Sequence, residues 1–107
     1  MLRLLSIFII YYISVILSYK CKDTEKVSKG EYTKKWSLET RRVAMRRLDY
    51  LNAAISLEDL RIPPSNRLHA LKGDLKGHYS ISVNMQWRIV FRWHDGHAHD
   101  ARMVDYH

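Results

Sequence analysis

Residues of the types that cut a phosphodiester without help from a metal gather in three places: His69 and Lys72 at a strand–turn junction, Arg88 on a strand, and Asp105, Tyr106 and His107 at the C-terminus. An RNA strand carries its own nucleophile in the 2′-hydroxyl. A protein that cleaves it must take that proton, neutralise the charge growing on the phosphate and protonate the leaving 5′-oxygen. Histidine suits the proton transfers because its pKa lies near neutrality. Lysine and arginine suit the phosphate charge. Tyrosine stacks on a splayed base or donates its phenolic proton. Type and spacing alone do not make these groups converge. Taken singly they also describe a surface lysine, a solvated strand arginine and a terminal histidine.

A second concentration of polar groups is His94, His97 and His99 with Asp100 around one hairpin. Three histidines suffice to bind zinc. A two-residue spacing on a strand arises readily by chance, however, and polar side chains are ordinary beside a turn. No metal site and no cofactor are expected.

These residues sit on a legible series of elements. The polar stretch after Cys21 allows a short helix from Asp23 and a loop near Gly30. Ser37 is a good N-cap for a stronger helix, in which Ala44, Leu48, Leu51 and Ile55 recur at spacings of four, three and four. Arg41, Arg42, Arg46 and Arg47 lie mostly off that stripe, as a solvated face or a contact surface for RNA or a partner. Ser56 to Asp59 has the spacing of a capped helical turn, which Pro63 and Pro64 must end. Leu68 to Leu71 reads as a short strand and Lys72 to Gly77 as a turn with two glycines and two lysines. Tyr79, Ile81 and Val83 alternate with polar residues, as do Trp87, Ile89, Phe91 and Trp93. Asp95-Gly96 is a hairpin signal, leading to a last strand from about Ala98 to Val104. The pattern predicts an α+β domain: an N-terminal strand and two helices packed on an antiparallel sheet. Trp87, Ile89, Phe91 and Trp93 should face the helices, leaving Arg88 and Arg92 on the open face.

Composition narrows the class of partner. The chain has 107 residues, enough for one modest core, with 18 Lys and Arg against 11 acidic residues and a net charge of +7. Such an excess favours an anionic partner, nucleic acid ahead of lipid or acidic protein. Cys21 is the single cysteine, which excludes an internal disulfide and a multi-thiolate zinc site and fits a reducing, cytoplasmic home.

The first residues differ from the rest. Leu4 to Tyr19 carries no charge, yet it falls short of the roughly 20 residues that span a bilayer. No small-x-small cleavage site follows it, and Lys20 stands where lipoprotein processing needs a small residue. Val15 can be encoded by GTG, a bacterial start codon. Residues 1–14 are then an upstream extension or hydrophobic leader, and 15–107 form the domain.

Three ordered motifs identify a family resemblance. The stretch from Asn66 to Val83, NRLHALKGDLKGHYSISV, resembles the central motif of HigB-type toxins in the RelE/ParE superfamily. NMQWRIVFRW from Asn84 is similar to that family's N-x-x-W-R-I-x-F strand, and VDYH from Val104 matches its terminal V-D-Y-H or E-D-Y-H. The helix RRVAMRRLDYLNAA from Arg41 and LEDL from Leu57 also look like family sequence, and VILSYK from Val15 aligns with its M-I-x-S-F-K start. The resemblance covers roughly residues 16–107 and implies a RelE-like fold. It further implies a type II toxin that enters the ribosomal A site and cleaves mRNA there.

Carried over onto matching positions, the resemblance makes His107 the preferred proton-transfer group, with His69 supporting or sharing that task. Lys72 and Arg88 would neutralise the scissile phosphate, Tyr106 would orient or stack on the RNA, and Asp105 would position its neighbours. Lys76 and Arg92 are taken as further RNA contacts. Many relatives carry Glu in place of His69, and the family hairpin E-D-G-D-A-Y-D is here HDGHAHD from His94. The implied partners are a HigA-type helix-turn-helix antitoxin, the ribosome with its 16S rRNA, mRNA, and operator DNA through the antitoxin complex. No membrane partner is expected if translation starts at Val15. Two rivals are a ParE-like inhibitor of DNA gyrase and a non-enzymatic co-repressor acting with its antitoxin.

Overall fold

The computed structural model describes residues 16–106. His107 and residues 1–14 lie outside the described residues, so neither the expected proton-transfer role of the one nor the expected upstream origin of the other is tested by it.

Two helices come first. Helix α1, Lys22–Ser28, buries Thr24 and Val27 and carries Asp23 and Glu25 in its first turn, where acidic groups complement the helix dipole. Helix α2, Leu38–Ala53, starts at Ser37, whose side chain accepts a hydrogen bond from the Thr40 amide at 3.1 Å. Ala44, Leu48 and Leu51 form its buried stripe as expected. Ile55 does not extend that stripe: the helix ends at Ala53, Ala54 is extended, and Ile55 is 71% exposed. The cause lies in the next turn. The Asp59 carboxylate accepts from the amides of Ile55 and Ser56 at 3.0 and 3.1 Å, completing a capping box for the 3-10 turn Leu57–Arg61. Those backbone hydrogen bonds also hold the Asp59 carboxyl below the usual carboxylate range.

The strands form one antiparallel sheet in the order β1-β2-β3-β4: β1 His69–Ala70, β2 His78–Ser82, β3 Trp87–His94 and β4 His97–Asp105. Strand β1 is shorter than the expected Leu68 to Leu71, although the Leu71 amide still donates to the His78 carbonyl. The turn into β3 is built by the Asn84 side chain, whose Oδ1 accepts from the amides of Gln86 and Trp87. Asp95 and Gly96 both have positive φ, 51° and 77°, the backbone that a two-residue hairpin requires.

Strand β4 contains a bulge. Val90 pairs with Arg102 and Arg92 with His99, so one extra residue is accommodated there. Asp100 occupies it at φ 56°, a left-handed conformation that Asp tolerates better than most side chains. The expected first strand is reduced to a strip beside β4. Leu17 and Lys20 donate to the carbonyls of Ala98 and Ala101, the Ala101 amide donates to Ser18, and Tyr19 and Ala101 form a single parallel bridge. Ser18 locks the bulge: its Oγ accepts from the Asp100 amide at 2.8 Å and donates to the Asp100 carboxylate at 3.3 Å.

The core lies between the helices and one face of this sheet. Ala44, Leu48 and Leu51 meet Ile81, Ile89 and Phe91, all essentially buried, with Trp87 and Trp93 partly covered at the margins. Trp36 packs edge-on against Trp87 at 5.6 Å between ring centroids. The alternation along β3 therefore holds, with Arg88 and Arg92 on the opposite face. That face is less open than the sequence implies, because Val90 and Ser80 on it are also buried. Among the described residues no helix is long and apolar enough to cross a membrane.

Candidate functional site

Arg88 is the best-fixed of the candidate residues. Its position on β3 puts it opposite Ser82 of β2 and Val104 of β4, on the face away from the helices. Its Nε donates to the Ser80 hydroxyl at 2.8 Å, and its Nη2 donates to the Arg67 carbonyl at 2.7 Å and the Ser80 carbonyl at 3.4 Å. Two nitrogens thus hold the guanidinium in place, and Nη1 has no hydrogen-bond partner among the described residues. Burial lowers the Arg88 pKa, Tyr106 works the other way, and Arg67 adds to the lowering. An arginine stays charged at neutral pH through such a shift.

Tyr106 covers this cation, with the guanidinium carbon 5.1 Å from the ring centroid, a cation–π distance. The ring is placed by the tail's backbone: the Tyr106 amide donates to the Gln86 carbonyl at 2.7 Å, and the Gln86 side chain donates to Asp105 at 3.1 Å. Tyr106 remains 51% exposed, so the side of the ring away from Arg88 can meet a base.

His69 reaches the same face through register. It pairs with Ser80, the residue whose hydroxyl anchors Arg88, and it is exposed. Lys72 and Lys76 stand exposed on the turn between β1 and β2, and among the described residues nothing draws them into contact with Arg88. Arg92 lies one open-face step further along β3 than Val90 and pairs with Asp100 at 3.5 Å. Burial alone would raise the Asp100 carboxyl, but the Ser18 hydroxyl and Arg92, with Lys20 nearby, outweigh it and hold it below the usual carboxylate range. The structure therefore joins Arg88, Tyr106 and, by register, His69. Asp105 is tied in through Gln86.

Several supporting residues were not singled out from the sequence. Ser80 is fully buried and binds Arg88 twice. Its place on the polar side of β2's alternation, next to Arg88's own side of β3, was the available signal. Arg67 supplies its carbonyl from a left-handed backbone with φ 47°, which no residue type at that position announced. Among the helix arginines, two have structural tasks. Arg41 donates to the Thr33 carbonyl and lies over the Tyr32 ring, and Arg47 donates to the Ser82 carbonyl at 3.0 Å. Arg42 and Arg46 are exposed. Among the described residues no group of three His, Cys, Asp or Glu side chains is arranged to hold a metal ion.

A cation fixed on a sheet face, roofed by an aromatic ring and neighboured by an imidazole, can seat a phosphate and stack a base beside it. Known proteins resemble the chain at both sequence and fold level. Toxin HigB-1 of Vibrio cholerae serotype O1 is 55% identical over 53 residues, covering 50% of this chain and 56% of that protein. Endoribonuclease HigB of Proteus vulgaris is 46% identical over 41 residues, covering 38% and 45% respectively. The aligned stretches thus span about half the length of these curated relatives. The crystal structure of YafQ from E. coli strain BL21(DE3) superimposes with a TM-score of 0.52 over 85% of this chain and 93% of YafQ, at 16% identity. At that identity the likeness speaks for the fold alone, which is the expected α+β sheet with two helices. The sequence profile described as "RelE-like toxin of type II toxin-antitoxin system HigB" matches residues 18–107, nearly the whole of the folded region, and the chain belongs to the HigB-like toxin family.

Proposed function

We propose that this protein is the toxin of a type II toxin–antitoxin pair and an endoribonuclease that cleaves mRNA in the ribosomal A site. The observation that carries this reading is the Arg88 arrangement: a guanidinium held by Ser80 and Arg67 beneath the Tyr106 ring. The name of the Proteus vulgaris relative, an endoribonuclease, supports it. In this scheme a phosphate oxygen binds at Arg88 and the flanking base stacks on Tyr106. His69 and His107 handle the protons: one takes the 2′-hydroxyl proton as the 2′-oxygen attacks phosphorus, and the other protonates the departing 5′-oxygen. His107 is the first choice and His69 the second. Lys72 adds positive charge from the turn, Asp105 positions the tail, and Lys76 and Arg92 hold the RNA further out. The attacking group belongs to the RNA, so this chemistry calls for no cofactor.

The partners follow from the same reading: the ribosome with its 16S rRNA, the mRNA, a HigA-type antitoxin, and operator DNA through the antitoxin complex. The site of action would be the cytoplasm. The decisive experiment is induction of the chain in cells with transcript ends mapped afterwards. Cuts at fixed positions within codons are expected, and Arg88→Ala should lower the cutting rate on the order of 10²-fold or more, the usual size of losing one cation or donor at a charged transition state. DNA damage without transcript cuts would instead indicate a gyrase inhibitor. Operator binding with the antitoxin but no arrest of translation would indicate a co-repressor.

A further inference from the structure

Strand β1 stops early, and arginines occupy the corner of the sheet that it leaves. Its register, His69 with Ser80 and Ala70 with Tyr79, would next set Arg67 against Ser82. Arg67 instead has a left-handed backbone, φ 47°, after the 3-10 turn Pro64–Asn66. The Ser82 carbonyl is taken by a side chain. Arg47 of α2 donates to it from Nε at 3.0 Å, and from Nη2 to the Ser65 hydroxyl at 3.3 Å. The Tyr50 ring centroid lies 5.9 Å from the Arg47 guanidinium carbon. Arg47 thus repeats the mounting of Arg88: Nε and Nη2 are tied to the protein, a tyrosine ring lies alongside, and Nη1 has no hydrogen-bond partner among the described residues.

An open cavity of about 280 Å³ lies at this corner, lined by Arg47, Ser65, Arg67, Ser82 and the turn that follows β2. No carboxylate lines it, and neither arginine has an ion-pair partner among the described residues. Arg67 is exposed, and only its backbone is hydrogen-bonded, to the Pro64 carbonyl and to Arg88. Its charge is near enough to Arg88 to loosen that residue's hold on its proton. The Ser65 hydroxyl accepts from Arg47 and keeps its own proton for an acceptor in the cavity. The groups that converge are therefore donors and cations, whose mutual repulsion an anion between them relieves. Both arginines stay charged across the working pH range, so the site needs no titrating group.

We propose that this corner is a second phosphate seat, holding the backbone phosphate of the cut mRNA strand next to the one bound at Arg88. The inference rests on the RNA-cleaving reading above and adds Arg47, Ser65 and the Arg67 side chain to the contacts of that strand. The two seats share a wall. Arg88 is anchored on Ser80 and Arg47 on Ser82, two residues apart on β2, or about 7 Å at a rise of roughly 3.3 Å per residue. An extended strand advances by a comparable distance from one phosphate to the next. Arg67 stands between the seats, giving its carbonyl to one guanidinium and lining the cavity of the other. Phosphate contacts fix register and carry no base information. This seat therefore sets which linkage lies over Arg88.

The test is cleavage of a short mRNA on programmed ribosomes by the full chain. Phosphates on either side of the cut linkage are replaced, one at a time, by neutral methylphosphonates. Affinity is read from the dependence of cutting rate on toxin concentration. For wild type, neutralising one linkage adjacent to the cut should weaken affinity about tenfold, the scale of one charge-assisted hydrogen bond. Arg67→Gln should lose about as much with the natural mRNA, and neutralising that linkage should then cost it less than about threefold. Arg47→Gln should lose the same coupling. Where that variant melts early because the Ser82 carbonyl is freed, Arg67→Gln decides alone, since its side chain is bonded to nothing in the fold. Equal penalties in wild type and Arg67→Gln at every linkage would overturn the seat. So would a weaker Arg67→Gln that couples to no mRNA linkage, which would place the phosphate on ribosomal RNA instead. Absence of any cut by wild type would sink the RNA-cleaving reading itself, and the seat with it.

Discussion

At the scale of single residues, Arg88 carries a structural load and, in the proposed function, a chemical one. Its side chain satisfies the buried Ser80 hydroxyl and the Arg67 carbonyl while facing the surface with its remaining nitrogen. Lysine cannot reproduce that fork, since a single ammonium has no planar pair of donors to divide between protein and phosphate. Arg88→Lys should therefore lose RNA cleavage almost as fully as Arg88→Ala. It should also melt lower by the equivalent of about 1 kcal/mol, from imperfectly satisfied polar groups. Cleavage kinetics and thermal melting of the same preparation check both. Asp100 is the residue for an acid experiment. Its folded pKa is depressed, so its contribution is fully present above the unfolded value near pH 4. It disappears as the pH falls through the lower folded value. Asp100→Asn keeps a side chain that accepts the left-handed backbone. The variant should melt lower than wild type near neutrality and lose less stability on acidification. Equal acid losses would assign the effect to other carboxylates.

At the scale of elements, the helix–sheet contact depends on one buried hydroxyl. Thr24 of α1 accepts the Met103 amide at 3.0 Å from the middle of β4, and it is fully buried. Thr24→Val preserves the shape but strands that amide, so unfolding in urea should show a loss of about 1–3 kcal/mol. The elements themselves were largely legible. The stripe of α2 and the alternation of β2 and β3 are periodic signals with one buried face, and the turn chemistry of Ser37, Asn84 and Asp95-Gly96 is local. What escaped was decided elsewhere. Ile55 continues the helical spacing, but the capping carboxylate of Asp59 claims its amide and stops the helix first. The strand before the turn shrank to His69–Ala70 because only β2 lies beside it. The candidate residues could be read from type and motif, but the joints between them could not. Arg88 meets Tyr106 because the tail hydrogen-bonds to Gln86, and it meets Arg67 because that backbone turns left-handed. Neither contact leaves a periodic trace.

At the scale of the whole molecule, the helices cover one face of the sheet, while Arg88, Arg92, the Tyr106 ring and, by register, His69 lie on the other. In the proposed function, stability and recognition are therefore divided between faces, although they share the same strands. The strip beside β4 belongs to the fold as much as any strand. It supplies three backbone hydrogen bonds and the Ser18 lock on Asp100, and it half-buries Tyr19. A chain shortened to begin after Lys20 should lose more than about 2 kcal/mol of stability. Amide exchange should become faster in β4 first, between Ala98 and Ala101, and unchanged protection there would refute the assignment.

The bulge at Asp100 has a consequence for how β4 tolerates change in length. Before it the inward residue is Ala98; after it the inward residues are Ala101 and Met103, so the two halves of the strand count in opposite parity. Loss of one residue anywhere else would send half of the strand's polar side chains into the core. Loss of Asp100 itself would restore one continuous alternation, at the expense of the lock to Ser18 and Arg92. The bulge is thus where a one-residue deletion joins the two halves of the strand in register instead of inverting one of them.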